Sequence, residues 1–173
     1  MIRHKILESR QGFTLAELIV VVALIAILLS IATPGFMLWY RNTSLQVTAR
    51  DFYTALKLTQ ANAARRNQNC AVTFSNGGYV AYVDANKNFQ LDAGEIQLAQ
   101  FPLVGEKLGA VSIGSVTYAN NAAGEPTIAF RPNALPVVHG TGLANGSVTF
   151  SLASGHQLIV GSSISGNVTI KSI

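Results

Sequence analysis

A chain of 173 residues, 49% hydrophobic and only 12% charged, has length for one domain with its own core. It carries about half the charge of an ordinary soluble domain, which excludes intrinsic disorder and points to membrane contact. Twelve Lys and Arg oppose eight Asp and Glu, but the first twelve residues hold three of those cations and one acid; the remaining nine against seven leave +2, too little by itself to imply nucleic-acid binding.

The basic start, with Arg3, Lys5 and Arg10, leads to Gly12-Phe13-Thr14-Leu15-Ala16-Glu17 and then an unbroken apolar run from Leu18 to Ile31, with no further charge before Arg41. Leu18 to Tyr40 is 23 residues, roughly 35 Å as a helix at about 1.5 Å per residue, enough to cross a bilayer core of about 30 Å. The flanking cations place the N-terminus in the cytoplasm and the rest of the chain outside. No A-x-A cleavage site follows the apolar stretch; Ser30 to Phe36 runs on into patterned sequence, unlike an ordinary secretory signal. Glu17 is a carboxylate at the cytoplasmic edge of the run. Left unpaired inside a membrane it costs about 2 to 3 kcal/mol, so it marks a functional position with a partner. Pro34-Gly35 removes a backbone donor inside the helical stretch, and a kink or local melting is expected there.

The junction Gly12-Phe13-Thr14-Leu15-Ala16-Glu17, the apolar run and Pro34 together resemble the N-terminal signal of type IV pilins and type II secretion pseudopilins. The resemblance implies cleavage by a prepilin peptidase between Gly12 and Phe13 and N-methylation of the new terminal Phe13. It also makes Glu17 the assembly glutamate and Pro34 the helix-kinking proline. Cutting on the cytoplasmic side leaves the whole helix in place for assembly. Glu17 can then pair with the Phe13 amine of a neighbour, a pairing that offsets the buried charge only when subunits are staggered.

Beyond Pro34, Trp39 to Arg66 keeps helical spacing, with Leu45, Thr48, Phe52, Leu56, Thr59 and Ala63 three or four residues apart; this stripe is expected to lie on a sheet. Arg41, Arg50, Lys57, Arg65 and Arg66 fall elsewhere around the helix and read as solvated. After Asn67 come short apolar or β-branched runs separated by Gly, Asn and Ser: Ala71–Phe74, Tyr79–Val83, Glu95–Leu98, Val111–Val116, Thr127–Phe130, Val148–Leu152, Leu158–Val160 and Asn167–Lys171. Turn residues Asn76-Gly77-Gly78 and Asn145-Gly146 read as hairpins of an all-antiparallel region.

The expected fold class is therefore α+β, one long N-terminal helix packed on a C-terminal antiparallel β head. It comprises a leader at 1–12, a transmembrane helix at 13–35, an amphipathic helix at 36–66 and a β-rich head at 67–173. The helix stripe, the Tyr82-Val83-Asp84 strand and the Asp/Asn-rich turn ending in Gly94-Glu95, followed by Gly-punctuated strands, are similar to minor pilins and pseudopilins of the GspH, FimT and FimU type. That resemblance implies other major and minor pilins or pseudopilins, the prepilin peptidase and the inner membrane as partners. With Cys70 alone, no intramolecular disulfide, thiolate metal cluster or C-x-x-C redox pair can form; this departs from the disulfide-stapled heads of many major pilins.

The residues bear on three further chemistries. Asp84, Asn86, Asn88, Asp92 and Glu95 occupy positions 1, 3, 5, 9 and 12 of a twelve-residue loop, with the Gln90 carbonyl at position 7, the ligand spacing of an EF-hand for Ca2+. Against this, position 6 is Phe89 rather than glycine, two early ligands are neutral amides, and the flanks do not read as helices; a hydrogen-bonded Asx-rich turn is the favoured reading, with no cofactor required. Catalysis finds no support: Gly161-Ser-Ser-Ile-Ser-Gly166 lacks the G-x-S-x-G spacing, and His139 and His156 have no acidic neighbour in sequence. Some FimT-like proteins are DNA receptors for transformation, and the resemblance carries an arginine-rich Gly-Arg-x-Arg stretch. Here the comparable place reads Gly166-Asn167-Val168-Thr169, and the head supplies only Lys87, Lys107, Arg131 and Lys171. DNA uptake is thus the alternative function and not the primary expectation.

Overall fold

The computed structural model describes residues 12–75, 78–101, 111–140 and 142–173. The basic leader residues Arg3, Lys5 and Arg10, the turn residues Asn76 and Gly77, and Lys107 lie outside the described residues. The chain divides into two compact units after Trp39.

Helix α1 runs from Leu15 to Arg66. Its first part, in the N-terminal unit, is apolar on all sides; its most apolar 18-residue window has a mean hydropathy of 2.9 and is wholly exposed, long and apolar enough to cross a membrane. The helix continues through Pro34, so the local melting expected at Pro34-Gly35 does not occur. Proline still removes one rung of the hydrogen-bond ladder, and the turns on either side remain helical. Nearby, Ser30 Oγ donates to the Ile27 carbonyl at 2.7 Å and Thr33 Oγ1 to that of Leu29 at 2.6 Å, which turns both hydroxyls onto the helix and away from apolar surroundings.

The later part of α1 belongs to the second unit. Leu45, Thr48, Phe52, Leu56, Thr59 and Ala63 are all buried, as their spacing predicts. Thr48 and Thr59 bury their hydroxyls by donating to the carbonyls four residues back, those of Ser44 and Ala55. The helix ends where Asn67 takes a positive φ of 54° and the Gln68 amide reaches back to the Ala63 carbonyl at 3.3 Å, a Schellman-type stop with Asn in the place glycine usually holds. Arg65 and Arg66 in the last turn complement the negative end of the helix dipole.

Among the described residues ten strands follow: β1 Asn69–Ser75, β2 Gly78–Asp84, β3 Gln97–Phe101, β4 Val111–Val116, β5 Thr127–Phe130, β6 Pro136–Val138, β7 Gly142–Leu143, β8 Gly146–Leu152, β9 Gln157–Ser162 and β10 Val168–Ser172. They form two antiparallel sheets, ordered β3-β2-β1-β5-β6-β7 and β10-β9-β8-β4. The α+β fold with a long N-terminal helix and an antiparallel β region is as expected. Two details differ. Strands β6 and β7 are too short to carry an apolar pattern, and one begins on a proline. Asn145-Gly146 is not a hairpin turn; it joins β7 of the larger sheet to β8 of the smaller one, because the residues before it pair with β6 and not with β8.

The helix stripe packs on both sheets. The Phe52 ring meets Phe74 and Tyr79 of the larger sheet at 5.4 and 5.1 Å and Phe150 of the smaller at 5.5 Å, distances typical of favourable aromatic pairs. The opposite face of the larger sheet is also covered: Ala71, Tyr82, Ala129 and Val137 form a second cluster with Val80 and Phe89 against it. Strand β1 is accordingly buried at six consecutive positions, which a half-solvated strand would not be. On that face Thr73 Oγ1 lies 3.0 Å from the Tyr82 hydroxyl and 2.9 Å from Thr127 Oγ1. Among the described residues no buried side-chain nitrogen or oxygen lacks a partner.

Candidate functional site

The start of α1 is built by the residues that the assembly reading singles out. Gly12 and Phe13 precede the helix, and Phe13 is 82% exposed. Thr14 caps the helix: its hydroxyl accepts from the Glu17 amide at 3.2 Å, while Glu17 Oε2 accepts from the Thr14 amide at 3.1 Å and from its hydroxyl at 3.2 Å. This is a reciprocal capping box, which satisfies backbone donors that the first helical turn leaves open. The Thr-x-x-Glu spacing ahead of an apolar run was the signal for it, and the sequence reading passed over it. Glu17 is thus turned back onto Thr14, the residue after Phe13. Pro34 lies inside the apolar part of α1.

The loop between β2 and β3 brings Asp84, Asn86, Asn88, Asp92 and Glu95 together around its own backbone. The Asp84 carboxylate accepts from the amides of Asn88 at 3.0 Å and Phe89 at 3.2 Å. Asp92 Oδ2 accepts from the side-chain amides of Asn86 and Asn88, both at 2.7 Å. Glu95 accepts from the amides of Ala85 at 2.9 Å and Asp92 at 3.1 Å, and the Gln90 amide donates to Asn88 Oδ1 at 2.8 Å. These are the bonds of an Asx-rich turn. Lys87 and Phe89 both take φ of 62°, so position 6 adopts the left-handed conformation without a glycine. The cost is offset by Phe89 packing on the second core cluster and by the Asn121 side chain donating to its carbonyl at 2.9 Å. Among the described residues no three His, Cys, Asp or Glu side chains gather as a metal-holding group.

Burial is the main reason that the Asp84 carboxyl titrates above the usual carboxylate range; its backbone hydrogen bonds act in the opposite direction. Cys70 is a buried free thiol that burial pushes up to about 11, against a smaller lowering by Arg66. It is a packing residue and not a reactive one. His139 stands edge-on to Phe89 at 5.7 Å, and His156 Nδ1 lies 3.1 Å from Asn42 Oδ1. Neither meets an acid among the described residues, so the geometry assembles no acid, base and nucleophile.

Comparison with known proteins decides the family. Residues 48–171 match the family model described as type II transport protein GspH, and residues 9–33 match that of the prokaryotic N-terminal methylation motif. The chain belongs to the GspH family of pilin-like proteins. A relative of this GspH-family chain, the pilin-like protein PilA1 of Thermus thermophilus, is 29% identical over 138 residues, covering 74% of this chain and 80% of that protein. The crystal structure of the type IV minor pilin FimU of Pseudomonas aeruginosa shares its fold, with a TM-score of 0.51 at 10% identity over 78% of this chain and 96% of that one. The methylation motif covers the junction, the capping box and the whole apolar run, and the GspH match covers most of the packed part of α1 and nearly all of both sheets. The apolar helix and the motif together fit membrane anchoring of a structural pilin-type subunit.

Proposed function

We propose that the protein is a minor pilin or pseudopilin, a structural subunit of the tip or priming complex of a type IV pilus or a type II secretion pseudopilus. The observation that carries this is the union, in one chain, of an N-terminal methylation motif and a GspH-type head. A prepilin peptidase cuts between Gly12 and Phe13 and methylates Phe13. The subunit sits in the inner membrane as a single pass, N-terminus in the cytoplasm and β head outside, until it is extracted. During assembly the apolar part of α1 packs among equivalent helices of other pilins, and Glu17 pairs with the Phe13 amine of a neighbour. The capping box supports this step, since it turns the carboxylate back onto Thr14, next to the residue that cleavage would make the new N-terminus. An unpaired charge in apolar surroundings favours only those staggers that supply a partner, which sets the register.

The test is a deletion strain in a background that cannot retract pili, with surface pili counted and exported enzymes assayed in the same culture. Loss of pili with normal export assigns the subunit to pilus priming, and loss of export with normal pili assigns it to secretion. Retention of both overturns the assembly role.

A further inference from the structure

We propose that the cleft between the β2–β3 loop and the segments flanking β6 is a docking site for an acidic, apolar-flanked peptide segment. The cleft has a volume of about 440 Å3, and Lys87 and Arg131 line it together with Asn69, Phe89, Pro132 and Val138. Three separate stretches of chain build it. The pairing of Cys70 with Phe130 and of Asn69 with Asp84 places Arg131 and the start of the β2–β3 loop on either side of the first residue of β1.

Both cations are exposed and, among the described residues, neither is spent on an ion pair. The acids that could have neutralised Lys87 are in its own loop, yet Asp84, Asp92 and Glu95 all face amide donors of that loop. Apart from Asn69 the remaining side chains of the lining are apolar, with the Phe89 ring fixed by the second core cluster and by His139. A guanidinium and an ammonium beside an apolar wall suit one carboxylate carried next to a hydrophobic side chain. A nucleic-acid backbone would need several converging cations along a groove, and two in an apolar cleft are a poor match. Charge complementarity therefore selects a peptide segment with Glu or Asp beside a large apolar residue. The inference does not depend on the assembly reading, because binding is read on the purified chain.

The experiment uses the full chain in detergent micelles and a fluorescently labelled peptide, acetyl-Phe-Glu-Leu-amide, with its Gln analogue and a short oligothymidylate as the other probes. The Glu peptide is expected to bind about tenfold more tightly than the Gln analogue, the weight of one charge-assisted hydrogen bond. Lys87→Gln and Arg131→Gln should each weaken it by a similar factor, and Lys171→Gln, outside the cleft, should leave it unchanged. Because both cleft residues are exposed, the variants are expected to fold, which circular dichroism checks. Equal binding of the two peptides, indifference to both cleft variants, no binding at all, or tighter binding of the oligothymidylate at the same residues would each overturn the proposal.

Discussion

The side-chain amide of Gln60, in the middle of the buried half of α1, donates to the Gly166 carbonyl at 2.9 Å and to the Ala134 carbonyl at 2.8 Å. One carboxamide thus ties the helix to the β9–β10 turn of the smaller sheet and to the β5–β6 turn of the larger one. Gly166 has a φ of +82°, and a Cβ placed there would come within 2.7 Å of the Ala134 oxygen and 2.9 Å of Gln60 Nε2. Glycine is required at this place by both backbone conformation and space.

Gly166→Ala should therefore destabilise the protein by about 2 kcal/mol or more, from left-handed strain together with the displaced clamp. Gln60→Leu should cost about 1 to 3 kcal/mol by stranding two half-buried carbonyls. Thermal unfolding of the detergent-solubilised chain measures both; a shift for Gly166→Ala no larger than that for an exposed alanine control would contradict the clamp.

Phe52 touches rings from both sheets, so Phe52→Ala should be among the most damaging single changes, costing about 3 to 5 kcal/mol, while Phe52→Met should cost clearly less. Denaturant midpoints of the two variants give the comparison.

Cys70 should resist iodoacetamide at pH 8 in the folded chain and react once urea unfolds it, because burial keeps the thiol protonated. The linked effect on stability has a definite sign. The folded thiol titrates at about 11 against 9.0 for the free group, so the unfolded chain releases its proton first. Stability should fall as pH rises through that window, and Cys70→Ala should lose that part of the pH dependence.

Glu17→Gln keeps an acceptor for the Thr14 amide but removes the charge, whereas Thr14→Val keeps the charge and removes the cap. If Glu17 acts by pairing with a neighbour's amine, the Gln variant should insert in the membrane and be processed, yet fail to enter filaments. Thr14→Val should lose only about 1 kcal/mol of helix stability. Immunoblots of sheared filament and membrane fractions separate the two, and normal incorporation of Glu17→Gln would remove the charge from the mechanism.

Replacing Gly12 by a bulky residue should leave the chain about a dozen residues longer and unmethylated, since the cut is expected on its C-terminal side. Intact-mass spectrometry reads both changes at once, and normal maturation would contradict the processing site.

What the sequence made legible were features with a period or a fixed spacing. The stripe from Leu45 to Ala63 is buried throughout, and β4 and β5 fall within the limits their apolar patterns suggested. Strand β1 extends from Asn69 to Ser75 where the pattern showed only Ala71 to Phe74, because its polar ends are held by pairing with β2. The division into two sheets was not visible, since it depends on which strands pair and not on which residues are apolar. The Gln60 clamp and the Lys87–Arg131 cleft escaped for a related reason: their members are far apart in sequence and carry no pattern of their own. Thr14 and Glu17 were different, for their three-residue spacing is a local signal of helix capping that was open to reading.

The contact between Gln60 and Gly166 spans 106 positions of the chain. During synthesis α1 is complete well before the β9–β10 turn that locks it is made. The side of its apolar stripe that meets the smaller sheet must wait for strands made much later, and loop closure over such distances is slow. Until then Phe52 can meet Phe74 and Tyr79 but not Phe150, so the natural time for misassembly is before the β9–β10 hairpin arrives.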